Sequence, residues 1–338
     1  MKEVRPCLSL CIATRNRATV LKRTLKGIVD EISGLDIEVV VVDGNSTDET
    51  SAVMADVSSR YSFVKYFRES HNSGVDGDYD KSVGYANGVY CWLLSDDDKI
   101  ESGAAARVID ACHQARTLVV VNARVYDQSF QRVLQDRRLP IAEDLVFERG
   151  ADEALFVRTA DYLTFIGGVV IRREEWLGRN RTPYQGSMFV HVGVIFQAEL
   201  PNGAVVIAEP AVGIRYGAAS WVSRRFEIWL TLWPRLVWSF DRFSPESRAA
   251  VVAREPWRRL GTLLFYRAMA SYSVREYGAI VRPQISSWIK RIGGWLIAKL
   301  PVVVARAVAT KYIRWRYPYD EITPLDLQPP QRSSRSGS

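Results

Sequence analysis

Three consecutive carboxylates, Asp96, Asp97 and Asp98, follow an apolar run directly in the stretch "GVYCWLLSDDDKIESG". Like charges on adjacent residues repel, and a turn that needs only polarity is served equally by Asn, Ser or Gly. The plain reading is a solvated turn ahead of a helix. The chemical reading is a site for a hard cation, because Mg²⁺ and Mn²⁺ are held by one or two carboxylates together with phosphate oxygens and water.

Two other polar clusters also end apolar runs. Thr14, Arg15, Asn16 and Arg17 follow "CLSLCIA", and Asp43, Gly44, Asn45 and Ser46 follow "IEVVVVD". The arginine fork suits phosphate oxygens, although Arg15 and Arg17 equally fit a solvated helix start. Asp43 is either a ligand contact or a turn aspartate capping its own backbone. The stretch "RESHNSGVDGD" reads as a loop holding Asn72, Gly74 and Asp76, and its glycine permits close backbone approach to a ligand. His191, within "GSMFVHVGVIFQA", is suited to proton transfer or metal binding near neutral pH, or is a core histidine bonded to backbone. His71 and His113 read as structural.

The elements around these clusters alternate. Strand "CLSLCIA" precedes a helix with Leu21, Leu25, Ile28, Val29 and Ile32 at helical spacing and Asn16 as its cap. Strand "IEVVVVDG" precedes a helix opened by Ser46-Thr47-Asp48-Glu49, a capping-box pattern. Strand "FVKYF", a short helix ending at Gly88, strand "VYCWLL", helix "SGAAARVIDACHQA" and strand "TLVVVNARVYD" continue the pattern. Strict β/α alternation predicts an α/β fold with a doubly wound, mostly parallel sheet. Ligands of such sheets bind beyond the carboxyl ends of the strands, so the three clusters should converge on one rim.

In this order, "TRNRATVLKRTL", "VVVDGNSTDET", "HNSGVDGDYDKSVGYANGVY" and "WLLSDDD" resemble the family 2 glycosyltransferases of GT-A fold, over about residues 7–115 and more weakly to about 220. The form "LLSDDD" with Asp76 upstream is most similar to the abequosyltransferase-like branch, which serves bacterial surface polysaccharides. The resemblance implies a nucleotide-diphospho-sugar donor, Mn²⁺ or Mg²⁺, inversion, and a glycan or polyprenyl-diphosphate-linked acceptor. Residue by residue, it assigns Thr14 and Asp43 to the nucleotide base and ribose, and Arg15, Asn16, Asn72 and Asp76 are the further donor contacts expected. Asp96 faces ribose or sugar, Asp98 binds the metal, and Asp97 orients its neighbours or the donor. The family's usual Glu-Asp pair, which supplies the general base, is absent from "GSMFVHVGVIFQA". His191 takes its place here as base or as a third metal ligand, with Asp161, Glu174 and Glu175 in reserve. A sugar-1-phosphate nucleotidyltransferase and an inactive, membrane-bound sugar-nucleotide scaffold are the rival readings. The first is expected to carry a glycine-rich phosphate loop where this chain has "ATRNRAT".

The 338 residues exceed the roughly 100–200 of one domain. Residues 1–220 read as the GT-A domain, with 1–115 as nucleotide half and 116–220 as acceptor half. Residues 221–322 read as a helical membrane-associating region and 323–338 as a disordered tail. Four cysteines without metal or disulfide spacing suit a reducing compartment, and the amino terminus lacks the apolar core of a signal peptide. No apolar run reaches the roughly 18 residues of a membrane span. Residues 221–338 hold 20 Lys and Arg against 8 Asp and Glu and eight of the ten tryptophans. Two stripes at helical spacing, Trp221–Phe240 and Ile285–Leu300, have the composition of basic amphipathic helices at an anionic membrane surface. A cytoplasmic protein, peripheral on the inner face of the cell membrane, is therefore expected. No nucleic-acid-binding module is recognisable.

Overall fold

Val39 to Val42 are all fully buried, which a strand tolerates when both faces of its sheet are covered. That strand, β2 (Ile37–Asp43), pairs in parallel with β1 (Leu8–Thr14), and Thr14 lies opposite Asp43 at the shared carboxyl end. The computed structural model describes residues 5–217, 221–316 and 323–327. On either side, β3 (Val64–Arg68) and β4 (Tyr90–Ser95) extend the parallel array, joined by α1 (Ala18–Glu31), α2 (Thr50–Arg60) and α3 (Gly74–Tyr85). After β5 (Lys99–Ile100) and α4 (Ala104–His113) come β6 (Leu118–Tyr126), β7 (Val133–Gln135), β8 (Leu145–Phe147) and α5 (Asp152–Thr159). They are followed by β9 (Val169–Arg172), α6 (Arg173–Gly178), α7 (Val190–Phe196) and β10 (Ala204–Arg215). The sheet order is β3-β2-β1-β4-β9-β6-β10-β5, with β7 beside β6 and β8 beside β10. The expected α/β sheet is thus present but mixed: β9 enters antiparallel between β4 and β6.

The helix starts differ from the sequence expectation. Ser46 does not cap α2; its hydroxyl accepts the Asn16 amide at 2.8 Å. The α2 cap is Asp48, whose Oδ1 accepts the Thr50 amide and hydroxyl while Oδ2 accepts the Ala18 amide at the start of α1. Asn16 in turn accepts the Thr47 amide at 2.7 Å and adopts a left-handed φ of 54° instead of capping α1. The loops after β1 and β2 therefore cap across to one another, and the rim they form is braced before any ligand arrives. Asp76 also lies elsewhere than expected, in the first turn of α3 and not in a loop.

The chain divides into one unit of residues 1–218 and 235–252 and a second of 219–234 and 253–338. Within the first, α8 (Pro245–Val251) is held to α5: Arg242 meets Asp152 at 3.1 Å and the Ser244 amide meets Glu153 at 2.9 Å. Phe240 and Phe243 pack their rings against Phe156 and Phe196.

The second unit contains α9 (Leu260–Ala268), α10 (Trp288–Lys299), α11 (Val302–Arg316) and α12 (Thr323–Asp326). Phe226 and Leu230 are buried with Leu263, Tyr272 and Val281 in its core. The first tryptophan-rich stripe is divided between the units and is packing surface in both: Ile228 and Trp233 are buried in the second, Leu236 and Phe240 in the first. The tail expected from 323 begins with a helical turn that buries Leu327, and residues 328–338 lie outside the described ones. Among the described residues, no single helix is long and apolar enough to cross a membrane.

Replacing Asp48 with Ala should cost about 1–2 kcal/mol in urea unfolding, since one side chain caps two helices. Glu49→Ala, which removes the other half of the expected capping box, should change stability by no more than a few tenths of a kcal/mol.

Candidate active site

At the carboxyl end of β4 the chain turns sharply, and the Asp98 amide donates back to the Ser95 carbonyl at 3.2 Å. The turn points its three carboxylates at different partners. Asp96 accepts the Thr14 hydroxyl at 2.7 Å on one oxygen and pairs with Arg17 at 2.9 Å on the other. Asp97 takes the second Arg17 nitrogen at 2.7 Å and the Ser95 hydroxyl at 2.7 Å. Asp98 accepts the Ser95 amide at 2.8 Å through Oδ2, while Oδ1 accepts no hydrogen bond from the described residues. Arg17, which the sequence left open between a phosphate contact and a solvated helix start, is the clamp across the first two aspartates.

Burial is severe, with Asp96 3% and Asp98 5% exposed. Desolvation lifts the Asp96 carboxyl to about 6 even with Arg17 and Thr14 opposing it. Asp98 is raised well above the usual carboxylate range by desolvation and by the charges of Asp97 and Asp96. Below the turn, Tyr79 donates to the Leu94 carbonyl at 2.9 Å. Behind it, Asp98 is backed by Gly167, where a Cβ would lie 2.8 Å from Oδ2 and collide with the Phe165 ring. The Trp92 indole fixes that glycine through its carbonyl at 2.8 Å.

The other expected donor residues surround this turn in different states. Asp43 is fully buried, with Oδ1 on the Ser46 amide and Oδ2 on the Tyr66 hydroxyl, both at 2.7 Å. Its turn-capping role is thus present in the structure. Arg15 and Asn72 are exposed, and Asn72 accepts the Gly74 amide at 3.0 Å. Asp76 has both oxygens engaged, by the Met188 amide at 2.8 Å and the Val190 amide at 3.0 Å, so it anchors the start of α7. Gly44 is required by Asp78, whose Oδ2 lies 2.5 Å from where a Cβ would sit.

His191 is 2% exposed, and its Nε2 lies 2.7 Å from the Leu163 carbonyl. A carbonyl only accepts, so Nε2 carries the proton and Nδ1 is left as a buried lone pair without a partner. Burial lowers the ring's pKa to about 4, and it is neutral at pH 7. The expected metal set of Asp98, Asp96 and His191 is not assembled: both Asp96 oxygens are engaged, by Thr14 and Arg17, and the Nδ1 that His191 leaves open is buried. No group of three or more His, Cys, Asp or Glu among the described residues forms a ready-made metal cage. A divalent cation still fits the rim in the manner of Mg²⁺ sites, through one carboxylate oxygen completed by substrate phosphates and water, and Asp98 Oδ1 would be that oxygen. Of the reserve carboxylates, Glu174 is paired with Arg172 and Glu175 with Arg179, while Asp161 is exposed.

Sequence reasoning missed Tyr66, Asp78 and Arg215. Arg215 ends β10, stacks over Phe130 at 4.7 Å and has a buried Nε without a partner. It interacts electrostatically with Arg23, Asp97 and Arg17, and its pKa is lowered by burial first and then by the two arginines. Its position at the carboxyl end of an apolar strand was the available signal.

The profile of the family described as glycosyl transferase family 2 matches residues 9–178. An abequosyltransferase of Salmonella typhimurium is 24% identical over 217 residues, 61% of this chain and 65% of that one. A GalNAc(5)-diNAcBac-PP-undecaprenol beta-1,3-glucosyltransferase of Campylobacter jejuni is 28% identical over 121 residues, 36% of this chain and 39% of that one. The chain thus spans less than two thirds of either relative. Among solved structures, S. aureus TarS residues 1–349 superimpose with a TM-score of 0.55 at 13% identity, covering 95% of this chain and 88% of that one. The mannosyltransferase PcManGT of Pyrobaculum calidifontis gives 0.50 at 15% identity, covering 96% and 86%. With the profile spanning half its length over the strands and turns that build the rim, the chain belongs to glycosyl transferase family 2 and carries the GT-A fold.

Proposed function

We propose that the chain moves a sugar from a nucleotide-diphosphate donor onto a lipid-linked glycan at the inner face of the cell membrane, using Mn²⁺ or Mg²⁺ and inverting the anomeric carbon. The observation that carries this reading is the rim. Thr14, Arg17 and three aspartates meet at the carboxyl ends of parallel strands, and one carboxylate oxygen is left open. Similar folds support the donor class: TarS has been solved with UDP and with UDP-GlcNAc, and PcManGT with GDP-Man and Mn²⁺. The Campylobacter relative's name includes a PP-undecaprenol-linked glycan, which supports a lipid-linked acceptor.

In this reading Thr14, Asn16 and Asp43 line the nucleotide, Asn72 contacts the donor from its loop, Asp76 supports the donor side by anchoring the start of α7, and Asp96 faces the ribose or sugar. Arg15 and Arg215 supply positive charge to the diphosphate, as arginine forks do for phosphate oxygens. Asp98, with Asp97 orienting the turn, would hold the cation, which supplies charge to the departing diphosphate. Arg17 holds Asp96 and Asp97 in place and favours the charged form of Asp96. His191 is the proton acceptor: Leu163 fixes its tautomer and leaves the Nδ1 lone pair for the acceptor hydroxyl, which must open a path to this buried ring.

Hydrolysis of UDP-, GDP-, CDP- and dTDP-sugars with and without Mn²⁺ tests the reading. Metal-stimulated release of one nucleotide diphosphate is expected. Pyrophosphate release from a nucleoside triphosphate and a sugar phosphate, with no donor turned over, contradicts it. Asp98→Asn should lower metal-dependent turnover by about a hundredfold or more while leaving the fold intact. An unchanged rate would refute its role.

His191→Gln keeps an amide donor for Leu163 and replaces the basic ring nitrogen with a non-basic amide oxygen. Donor binding should survive while transfer is lost; retained transfer would exclude the base. The same variant reports on pH. With its pKa lowered from 6.5 to about 4, wild-type His191 has no effect on stability above pH 6.5. As pH falls to 4 the unfolded chain takes the proton first, which costs the folded state roughly 3 kcal/mol. In acid unfolding, that part of the loss should vanish in His191→Gln.

A further inference from the structure

Helices normally turn large apolar side chains inward, but α10 and α11 do the reverse. Their buried positions are small or few: Gly294 and Ala298 on α10, and Ala305, Ala309 and Ile313 on α11. Ala305, Ala309 and Ile313 pack with Ala268 of α9 and Leu327, and Gly294 accepts the Tyr272 hydroxyl at 3.0 Å. The bulky residues face out. Trp288 is 69% exposed, Val303 75% and Trp315 77%, with Ile289, Leu296 and Tyr312 also more than half exposed. A soluble surface rarely presents apolar side chains in such a row.

The charge on this face has one sign. From Trp288 to Arg316 there are seven Lys and Arg and no Asp or Glu. A groove of about 490 Å³ on α11 is lined by Val303, Arg306, Ala307, Thr310, Lys311 and Arg314. Arg306, Thr310 and Arg314 follow one another at four-residue spacing along one side of the helix. The Arg306 Nε is buried there without a hydrogen-bond partner, and a phosphate oxygen satisfies such a donor. Lys299 lies 4.2 Å over the Trp295 ring, its stem on the apolar face and its charge at the edge.

Helix length excludes a span by either helix. With 12 and 15 residues they are about 18 and 22 Å long, short of the ~30 Å hydrocarbon core, and they meet at a bend of 104°. We infer that the outer face of α10 and α11 lies flat on an anionic bilayer, its large apolar residues among the acyl chains and a lipid phosphate in the Arg306–Thr310–Arg314 groove. This deepens the membrane reading above by naming the surface and its lipid chemistry. It does not depend on the transfer chemistry.

Sedimentation of the full chain with vesicles tests it. Vesicles of phosphatidylcholine with about one third phosphatidylglycerol should bind at least tenfold more tightly than phosphatidylcholine alone, since basic residues near such a surface act together. Tryptophan emission should shift to the blue on binding, and added salt should weaken it. Ile292→Ser with Leu296→Ser, both at exposed positions, should lower affinity at least tenfold, as should Arg306→Gln with Arg314→Gln. Donor hydrolysis should be unchanged in all four substitutions, which separates failure of this inference from failure of the transfer reading. Equal binding to both vesicle types overturns the inference, as does full binding by the arginine variants. A stable dimer in solution that the Ile292 and Leu296 substitutions dissociate overturns it in favour of a second copy on this face.

Discussion

Arg17 sets one guanidinium nitrogen against Asp96 and another against Asp97, in a turn where three adjacent carboxylates would otherwise repel in a buried setting. The rest of the rim follows from this pairing. The clamp is rigid and planar and holds two of the carboxylates in place, and a lysine at 17 could not reach both in the same way. The third carboxylate, Asp98, is left to whatever cation or proton the site receives. Since Arg17 directly precedes α1, its aim depends on the start of that helix, which Asp48 caps from the neighbouring loop.

Two glycines make the arrangement sterically feasible. Gly44 gives room to Asp78 and Gly167 to Asp98, each with a carboxylate oxygen where a side chain would begin. The loops after β1, β2 and β4 and the turn before β9 are therefore fitted to one another through short polar contacts. A mutation in any of the four should be felt at the carboxylates, even where it touches no substrate.

Much of this was legible in the sequence, for identifiable reasons. The unbroken apolar runs of β1, β2 and β4 mark strands buried on both faces, and the polar clusters directly after them mark strand ends. Together they predict the shared rim. Contacts between loops were not legible, because spacing along the chain reports only local partners. Ser46 and Glu49 match a capping pattern, yet Asp48 does the capping and does it for two helices. Asp76 is read as a loop residue because the glycines around it obscure the start of α3. His191 stands out by type, but only the fold shows its buried lone pair and its distance from a metal role. The two tryptophan stripes look alike in sequence; packing buries the first and leaves the second facing outward.

The central claim is that Arg17, with Thr14 and Ser95, engages every oxygen of Asp96 and Asp97, so that Asp98 Oδ1 would be the oxygen offered to the cation. A crystal structure with Mn²⁺ and a nucleoside diphosphate, with anomalous scattering to place the metal, tests it most directly. The account predicts manganese on Asp98 and the diphosphate, with Arg17 still bound to Asp96 and Asp97. Manganese coordinated by Asp96, with Arg17 released to the phosphates, would contradict it.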